Sequence, residues 1–159
     1  MEIIHLNNAN IESWIQQIQA YLRTVDNSEI EMLYQNLDYI VQRISAGIEQ
    51  SFLAEESGKI IGMIAAFGNI KKTAWNLMIL HVATENRLHL VGTKLFNALE
   101  QALTVSGHEF KIIAQCKVLD KYTNIFYLSK DFQFEGWYRA MDEADDMYVW
   151  AKIYADMQK

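Results

Sequence analysis

The sequence predicts an α/β fold with one mixed, mostly antiparallel sheet of about seven strands flanked by about four helices. Three observations carry this expectation. Apolar runs of strand length alternate with segments whose apolar residues recur at helical spacing, in the order β, α, α, β, β, β, α, β, α, β, β. Short turns, one of them carrying glycine, join several strands directly, as antiparallel neighbours allow. No linker, repeat or low-complexity stretch divides the 159 residues, so a single domain over 1–159 is expected.

Ile3-Ile4-His5-Leu6 reads as a first strand. Asn10 then offers an N-cap, with Glu12 in the first turn, to a helix carrying Ile11, Trp14, Ile15, Ile18 and Leu22 on one face. A second helix follows with Leu33, Leu37, Ile40, Val41 and Ile44, and Gly47 marks its end. Residues 51–55 and 60–67 are two strands around the turn Glu56-Ser57-Gly58-Lys59. A polar connection, Gly68 to Thr73, leads to a long apolar strand from Trp75 to Val82. Leu95, Phe96, Leu99, Ala102 and Leu103 form the next helix stripe, which stops at Ser106-Gly107. Phe110 to Cys116 is a strand and Tyr122 to Lys130 a short helix. Phe132–Tyr138 and Met147–Tyr154 close the order around the acidic loop Asp142 to Asp146.

Composition narrows the function classes. The net charge of −6 opposes non-specific nucleic-acid binding and favours cationic small partners. No apolar run approaches the roughly 18 residues of a membrane span, and Met1-Glu2-Ile3-Ile4-His5 lacks the basic start of a secretory signal. A single cysteine, Cys116, excludes an internal disulfide and fits a reducing cytoplasm. It is expected to be a small buried residue without a nucleophilic role. His5, His81, His89 and His108 stand singly with no metal-ligand spacing, so no metal is expected. Neither nucleic acid nor membrane is an expected partner, and the chain is expected as a monomer or homodimer.

The segment Leu80 to Phe96 is the most informative. A strand stops, turns through a short polar loop and enters a helix, whose first backbone N–H groups have no partner inside it and attract anions. Leu90 and Leu88 stand where a phosphate-cradling turn would carry glycine. They do not remove backbone donors. Their effect depends on conformation: a left-handed residue 90 costs about 1–2 kcal/mol for leucine, whereas the helical φ expected near a first turn costs little. Two readings stay open, a loop that holds a diphosphate and a loop closed by leucines on apolar surface.

Arg87-x-x-Leu90-x-Gly92-Thr93-Lys94-Leu95, together with Phe126-Tyr127-Leu128-Ser129-Lys130-Asp131-Phe132, resembles the GCN5-related N-acetyltransferase (GNAT) superfamily over nearly the whole chain. The superfamily's Arg/Gln-x-x-Gly-x-Gly/Ala and Phe-Tyr-x-x-x-Gly-Phe patterns each lose one glycine here, to Leu90 and Asp131. The resemblance implies an acyl-CoA N-acyltransferase-like fold with acetyl-CoA as co-substrate between the fourth and fifth strands. It implies transfer of an acetyl group to a primary amine of a small molecule or protein. Cofactor contacts would come from Leu80, His81 and Val82 along the strand, and from Arg87, Leu88, His89, Leu90, Val91, Gly92 and Thr93 in the loop. Asp120 falls where the family often has a cofactor-binding asparagine, and Asn124 is a polar substitute one helical turn away.

Tyr127 matches the family's tyrosine that acts as general acid towards the leaving thiolate, and core packing is its alternative role. Glu85, just past the strand end, is placed to move a proton through water or to cap the following turn. His81 interrupts Leu77-Met78-Ile79-Leu80, so it either marks a polar cleft or is a satisfied structural histidine. Trp14, Tyr21, Tyr34, Asp26, Glu29 and Glu31 would line an acceptor pocket or belong to the helix core. The acidic run 142–146 is either a solvated loop or a site for a cationic acceptor such as a polyamine. The competing function is a non-catalytic GNAT-fold binding or interaction module with a degenerate coenzyme loop.

Overall fold

The computed structural model describes residues 1–25, 37–87, 90–105, 107–139 and 145–155. Among them are seven strands and four α-helices, in the predicted order: β1 (Glu2–His5), α1 (Ile11–Leu22), α2 (Leu37–Ser45), β2 (Glu49–Glu56), β3 (Lys59–Gly68), β4 (Ala74–Val82), α3 (Val91–Thr104), β5 (Phe110–Lys117), α4 (Lys121–Ser129), β6 (Gln133–Tyr138) and β7 (Met147–Tyr154). Leu33 lies outside the described residues. All strands join one sheet in the order β1-β2-β3-β4-β5-β7-β6, and only β4 and β5 run parallel. The β2–β3 hairpin closes through Ser57 and Gly58, both with positive φ, as a tight two-residue turn between right-twisted strands requires.

Strand alternation sends side chains to two faces. Leu53, Met63, Ala65 and Ile79 pack against Ile11, Ile18 and Leu22 of α1 and Ile40 of α2. Phe52, Ala54, Ile64, Ala66, Trp75 and Ile112 pack on the other face against Val91, Leu95, Phe96 and Leu99 of α3 and Tyr127 of α4. Burying each large apolar side chain contributes about 1.5–3 kcal/mol, so the i, i+4 stripe of α3 fixes that helix on the sheet. Among the described residues no helix is long and apolar enough to cross a membrane.

One local expectation fails. Asn10 precedes α1 but its side chain caps no helical N–H. Its Oδ1 accepts from the Asn7 N–H at 2.9 Å and its Nδ2 donates to the His5 carbonyl at 2.9 Å, so it braces the β1–α1 loop instead. The backbone bond Leu6 N–H to Ser51 O at 2.9 Å extends the β1–β2 ladder by one residue beyond β1, as the predicted strand to Leu6 anticipates.

Gly62 of β3 sets how closely α3 approaches. A Cβ there would stand 3.0 Å from Leu95 Cδ1 and Val91 Cγ1, and 3.2 Å from the His81 carbonyl oxygen. The helix start therefore rests directly on a bare backbone. Gly62→Ala is expected to destabilise the protein by about 1–3 kcal/mol through overpacking, measured by urea denaturation.

Candidate functional site

The site begins with a parting of two strands. β3 pairs with β4 along its length, from Gly62 opposite Val82 to Gly68 opposite Trp75. β5 pairs with β4 only from Ala74 opposite Lys111 to Leu77 opposite Ala114. The parting starts at a bulge: Ala66 faces Leu77 and Ala65 faces Ile79, leaving Met78 as an extra residue that bends β4. Beyond it, Met78–Val82 stays with β3 while Gln115–Lys117 stays with β7. Half of the backbone groups of Met78–Val82 point away from β3, into a wedge that runs about 17 Å at 3.4 Å per residue. Alternation makes these the groups of Leu80 and Val82: the Ala83 N–H bonds to the Ile61 carbonyl at 2.9 Å, so Ala83 and, two residues back, His81 turn their backbone groups to β3.

The amino end of α3 stands at the mouth of this wedge. After β4 come a 3₁₀ turn, Thr84–Asn86, and Arg87. The Arg87 N–H donates to the Thr84 carbonyl at 3.4 Å, so this expected cradle donor is spent on the turn. The Arg87 Nε donates to the Val82 carbonyl at 3.3 Å, bracing the loop against the strand end. Leu88 and His89 lie outside the described residues. Leu90 is the N-cap of α3 and its side chain caps nothing. The first N–H groups of the helix, at Val91, Gly92 and Thr93, precede the first intrahelical bond, Lys94 N–H to Leu90 O at 3.0 Å.

Leu90 does not have the expected helical φ. It is left-handed, at φ 57 and ψ 18. Its side chain is 66% exposed and fills no core, so Leu90 does not close the loop against apolar surface. Asp131, the other position where glycine is missing, is left-handed too, with φ 62. The chain thus keeps both glycine-type backbone conformations without the glycines. Gly92 faces the wedge between Val82 and Phe126, and a Cβ there would meet both at an ordinary 3.7 Å. Packing within the chain therefore does not require a glycine at 92.

The opposite wall is β5 and α4. Asp120 is the N-cap of α4: its carboxylate accepts from the Thr123 N–H at 3.0 Å and from the Thr123 hydroxyl at 2.6 Å. Asn124 is fully engaged. Its Oδ1 accepts from Cys116 Sγ at 3.1 Å and Trp150 Nε1 at 3.0 Å, and its Nδ2 donates to the Asp120 carbonyl at 2.7 Å and the Lys117 carbonyl at 3.2 Å. It ties β5, β7 and α4 together, with both its amide oxygen and its amide nitrogen bonded within the chain. Cys116 is buried as expected, and burial pushes its thiol up to about 11, which keeps it an unreactive thiol at neutral pH.

Tyr127 is 4% exposed and packs on Phe132 at a ring separation of 5.1 Å. Burial, with Cys116 and Asp120 close by, raises its phenol well above the ordinary value and keeps it protonated. Glu85 is exposed on the 3₁₀ turn. His81 is half-buried, and its Nδ1 lies 2.7 Å from the Tyr21 hydroxyl of α1. Burial and then the Arg87 guanidinium lower the imidazole pKa from its ordinary value. Tyr21 is held neutral by burial and by the nearby Glu85, against the opposing pull of Arg87. Four residues from α1, β4 and the loop thus form one electrostatic group. The sequence offers Tyr21 to an acceptor pocket or to the helix core and does not pair it with His81, which lies 60 positions away. Asp26, Glu29, Glu31 and Tyr34 lie outside the described residues, as does most of the acidic run; Asp145 pairs with Lys117 at 2.7 Å.

No protein-family model and no curated protein sequence matches the chain. Solved structures do. A protein from Desulfovibrio desulfuricans assigned to the GNAT family of acetyltransferases superposes with a TM-score of 0.77 at 15% identity, covering 95% of this chain and 98% of that one. The chain has the GCN5-related N-acetyltransferase fold. An aminoglycoside 6′-N-acetyltransferase in complex with coenzyme A gives a TM-score of 0.77 at 20% identity, over 96% and 97% of the two chains. A ribosomal-protein-alanine N-acetyltransferase from Brucella melitensis gives 0.73 at 16% identity, over 97% and 100%. One relative of this GNAT fold is named for an antibiotic acceptor and another for a protein, so the fold alone does not select an acceptor.

The two left-handed positions give a direct test. Leu90→Gly is expected to stabilise the GNAT fold by about 0.5–1 kcal/mol, the relief of a left-handed leucine less the chain entropy that glycine adds. Asp131→Gly should gain less, because aspartate tolerates this region better. Chemical denaturation of both variants measures the difference.

Proposed function

We propose that the protein is an N-acetyltransferase that moves an acetyl group from acetyl-CoA to a primary amine of a small molecule or protein. The observation that carries this reading is the wedge between β4 and β5, whose free β4 edge ends at the uncapped amino terminus of α3. An extended pantetheine arm suits such an edge as an added strand. A diphosphate suits the N–H groups of Val91, Gly92 and Thr93 and the positive end of the helix dipole. Exposure of Leu90 and the space beside Gly92 support an open cradle over a closed one. The coenzyme A bound by the aminoglycoside acetyltransferase of the same fold supports the same co-substrate.

In this reading the amine lone pair attacks the thioester carbonyl and the carbon–sulfur bond breaks. Tyr127 donates a hydrogen bond to the departing thiolate. Its raised pKa makes complete proton transfer to a thiolate uphill, so stabilisation of developing charge is the larger part of its role. Glu85, exposed beside the wedge, passes the amine's proton to solvent.

Isothermal titration should show coenzyme A and acetyl-CoA binding at sub-millimolar Kd, and absence of binding at about 1 mM ligand overturns the reading. Thr93→Asp separates the loop's binding role from its structural one. A carboxylate in the first turn is expected to leave the helix unchanged or steadier by about 0.3–1 kcal/mol while weakening coenzyme A at least ~10-fold by repulsion of phosphate. Tyr127→Phe should lower kcat by about 10²-fold with acetyl-CoA affinity preserved. Unchanged turnover would remove Tyr127 from the reaction.

A further inference from the structure

We propose that His81, oriented by Tyr21, is the base that takes the proton from the acceptor nitrogen as the new carbon–nitrogen bond forms. The inference rests on the acetyl-transfer reading and names a catalytic residue within it.

Position comes first. His81 lies on the part of β4 that has left β5, between Leu80 and Val82, whose backbone groups face the wedge. Leu80 and Val82 pack on the α3 side of the sheet and Ile79 on the α1 side. Alternation turns the His81 ring to the α1 side, where Tyr21 meets it. An acceptor entering from the face opposite α3 would meet this imidazole beside the wedge.

Hydrogen bonding leaves one ring nitrogen, Nε2, without a partner among the described residues. The Tyr21 hydroxyl lies 2.7 Å from His81 Nδ1 and donates to the His81 carbonyl oxygen at 3.3 Å. A hydroxyl has one proton. With that proton on the carbonyl, the short contact is satisfied when Nδ1–H donates to the tyrosine oxygen. That tautomer leaves the lone pair on Nε2, which has no hydrogen-bond partner among the described residues.

The surrounding charges favour a base that starts unprotonated. Tyr21 faces the ring from α1, and Arg87 and Glu85 face it from the loop; β3 presents Met63, which does not titrate, opposite His81. Burial and Arg87 both disfavour the imidazolium. The balance is simple: nitrogen gains the acetyl carbon and loses a proton to Nε2, the thioester carbon–sulfur bond breaks, and sulfur leaves with its electron pair and is protonated to the free thiol. The imidazolium returns its proton to solvent past the exposed Glu85.

The test uses the full chain, acetyl-CoA and a panel of primary amines (spermidine, tryptamine and an alanine-initiated peptide), with thiol release followed against pH. His81→Gln is expected to lower kcat/KM by about 10²-fold or more, with acetyl-CoA Kd unchanged. It should also abolish the loss of activity on the acid side, which in the wild type falls below the ordinary histidine pKa of about 6.5. Added imidazole should restore part of the rate to His81→Ala. Tyr21→Phe should lose about 10-fold while keeping the acid limb, and it carries the test if His81 variants fail to fold. Wild-type kcat/KM in His81→Gln, or an acid limb removed by Glu85→Gln instead, overturns the assignment and leaves acetyl transfer standing. A wild-type chain that binds no acetyl-CoA, or acetylates no amine of the panel, overturns both.

Discussion

The site depends on how β4 divides its backbone between two neighbours. It bonds to β3 throughout and to β5 over four residue pairs, Ala74–Leu77 with Lys111–Ala114. A strand fully paired on both edges offers a ligand nothing, since its N–H and C=O groups are already used. The Met78 bulge ends the pairing early, yet β5 remains anchored through β7 and β4 through β3, so the sheet opens without losing its edges. The direction of the strands matters equally. Because β4 and β5 are parallel, a connection must cross back over the sheet, and that connection is α3. The crossover places a helix amino terminus at the open end of the wedge, so donors on the strand edge and donors on the helix converge from one topological choice.

The sequence shows this architecture because its elements follow the local physics of apolar spacing. The stripe Leu95, Phe96, Leu99, Leu103 and the strand Phe110–Cys116 are legible from period alone, and both occur as read. The bulge at Met78 is not legible, since an apolar residue that pairs and one that bulges look alike in a run such as Leu77–Leu80. The role of Asn124 was also hidden. Its partners Cys116, Lys117, Asp120 and Trp150 come from β5, the β5–α4 turn and β7, and only the assembled sheet brings them together. The same reason conceals the Tyr21–His81 contact, whereas the position of Tyr127 in the α4 segment was readable from the order of residues around it.

The missing glycines at 90 and 131 show that backbone conformation and residue identity are separable here. Both positions retain left-handed φ. Such a residue is maintained only when the surrounding fold over-determines it. At 90 the determinants are local and strong: the turn bond from Arg87 to Thr84 on one side and the first helical bond from Lys94 on the other, with Gly62 seating Val91 and Leu95 against the sheet. Tertiary structure thus sets the loop's shape, and leucine's cost, on the order of 1 kcal/mol, is small against the burial of the α3 stripe. Loss of the motif's glycine is therefore weak grounds for loss of the cradle, whose donors are main-chain atoms.

The same burial acts in opposite senses on the titratable groups flanking the wedge. It raises the phenol of Tyr127 and lowers the imidazole of His81, in each case favouring the neutral form. Transfer of an acetyl group from a thioester to an amine calls for one group to accept a proton and another to donate a hydrogen bond to sulfur. Environments that push two pKa values apart divide those tasks between two neutral groups. An anionic side chain in the wedge would incur desolvation and occupy the helix terminus itself, whereas neutral groups leave the positive end of α3 free for an anion. Arg87 links the two ends of this arrangement. It braces the loop through the Val82 carbonyl while disfavouring the imidazolium, so the residue that ends the 3₁₀ turn also biases the proton state of His81. An anion bound at the helix terminus would offset part of that positive charge and make the His81 imidazole more basic.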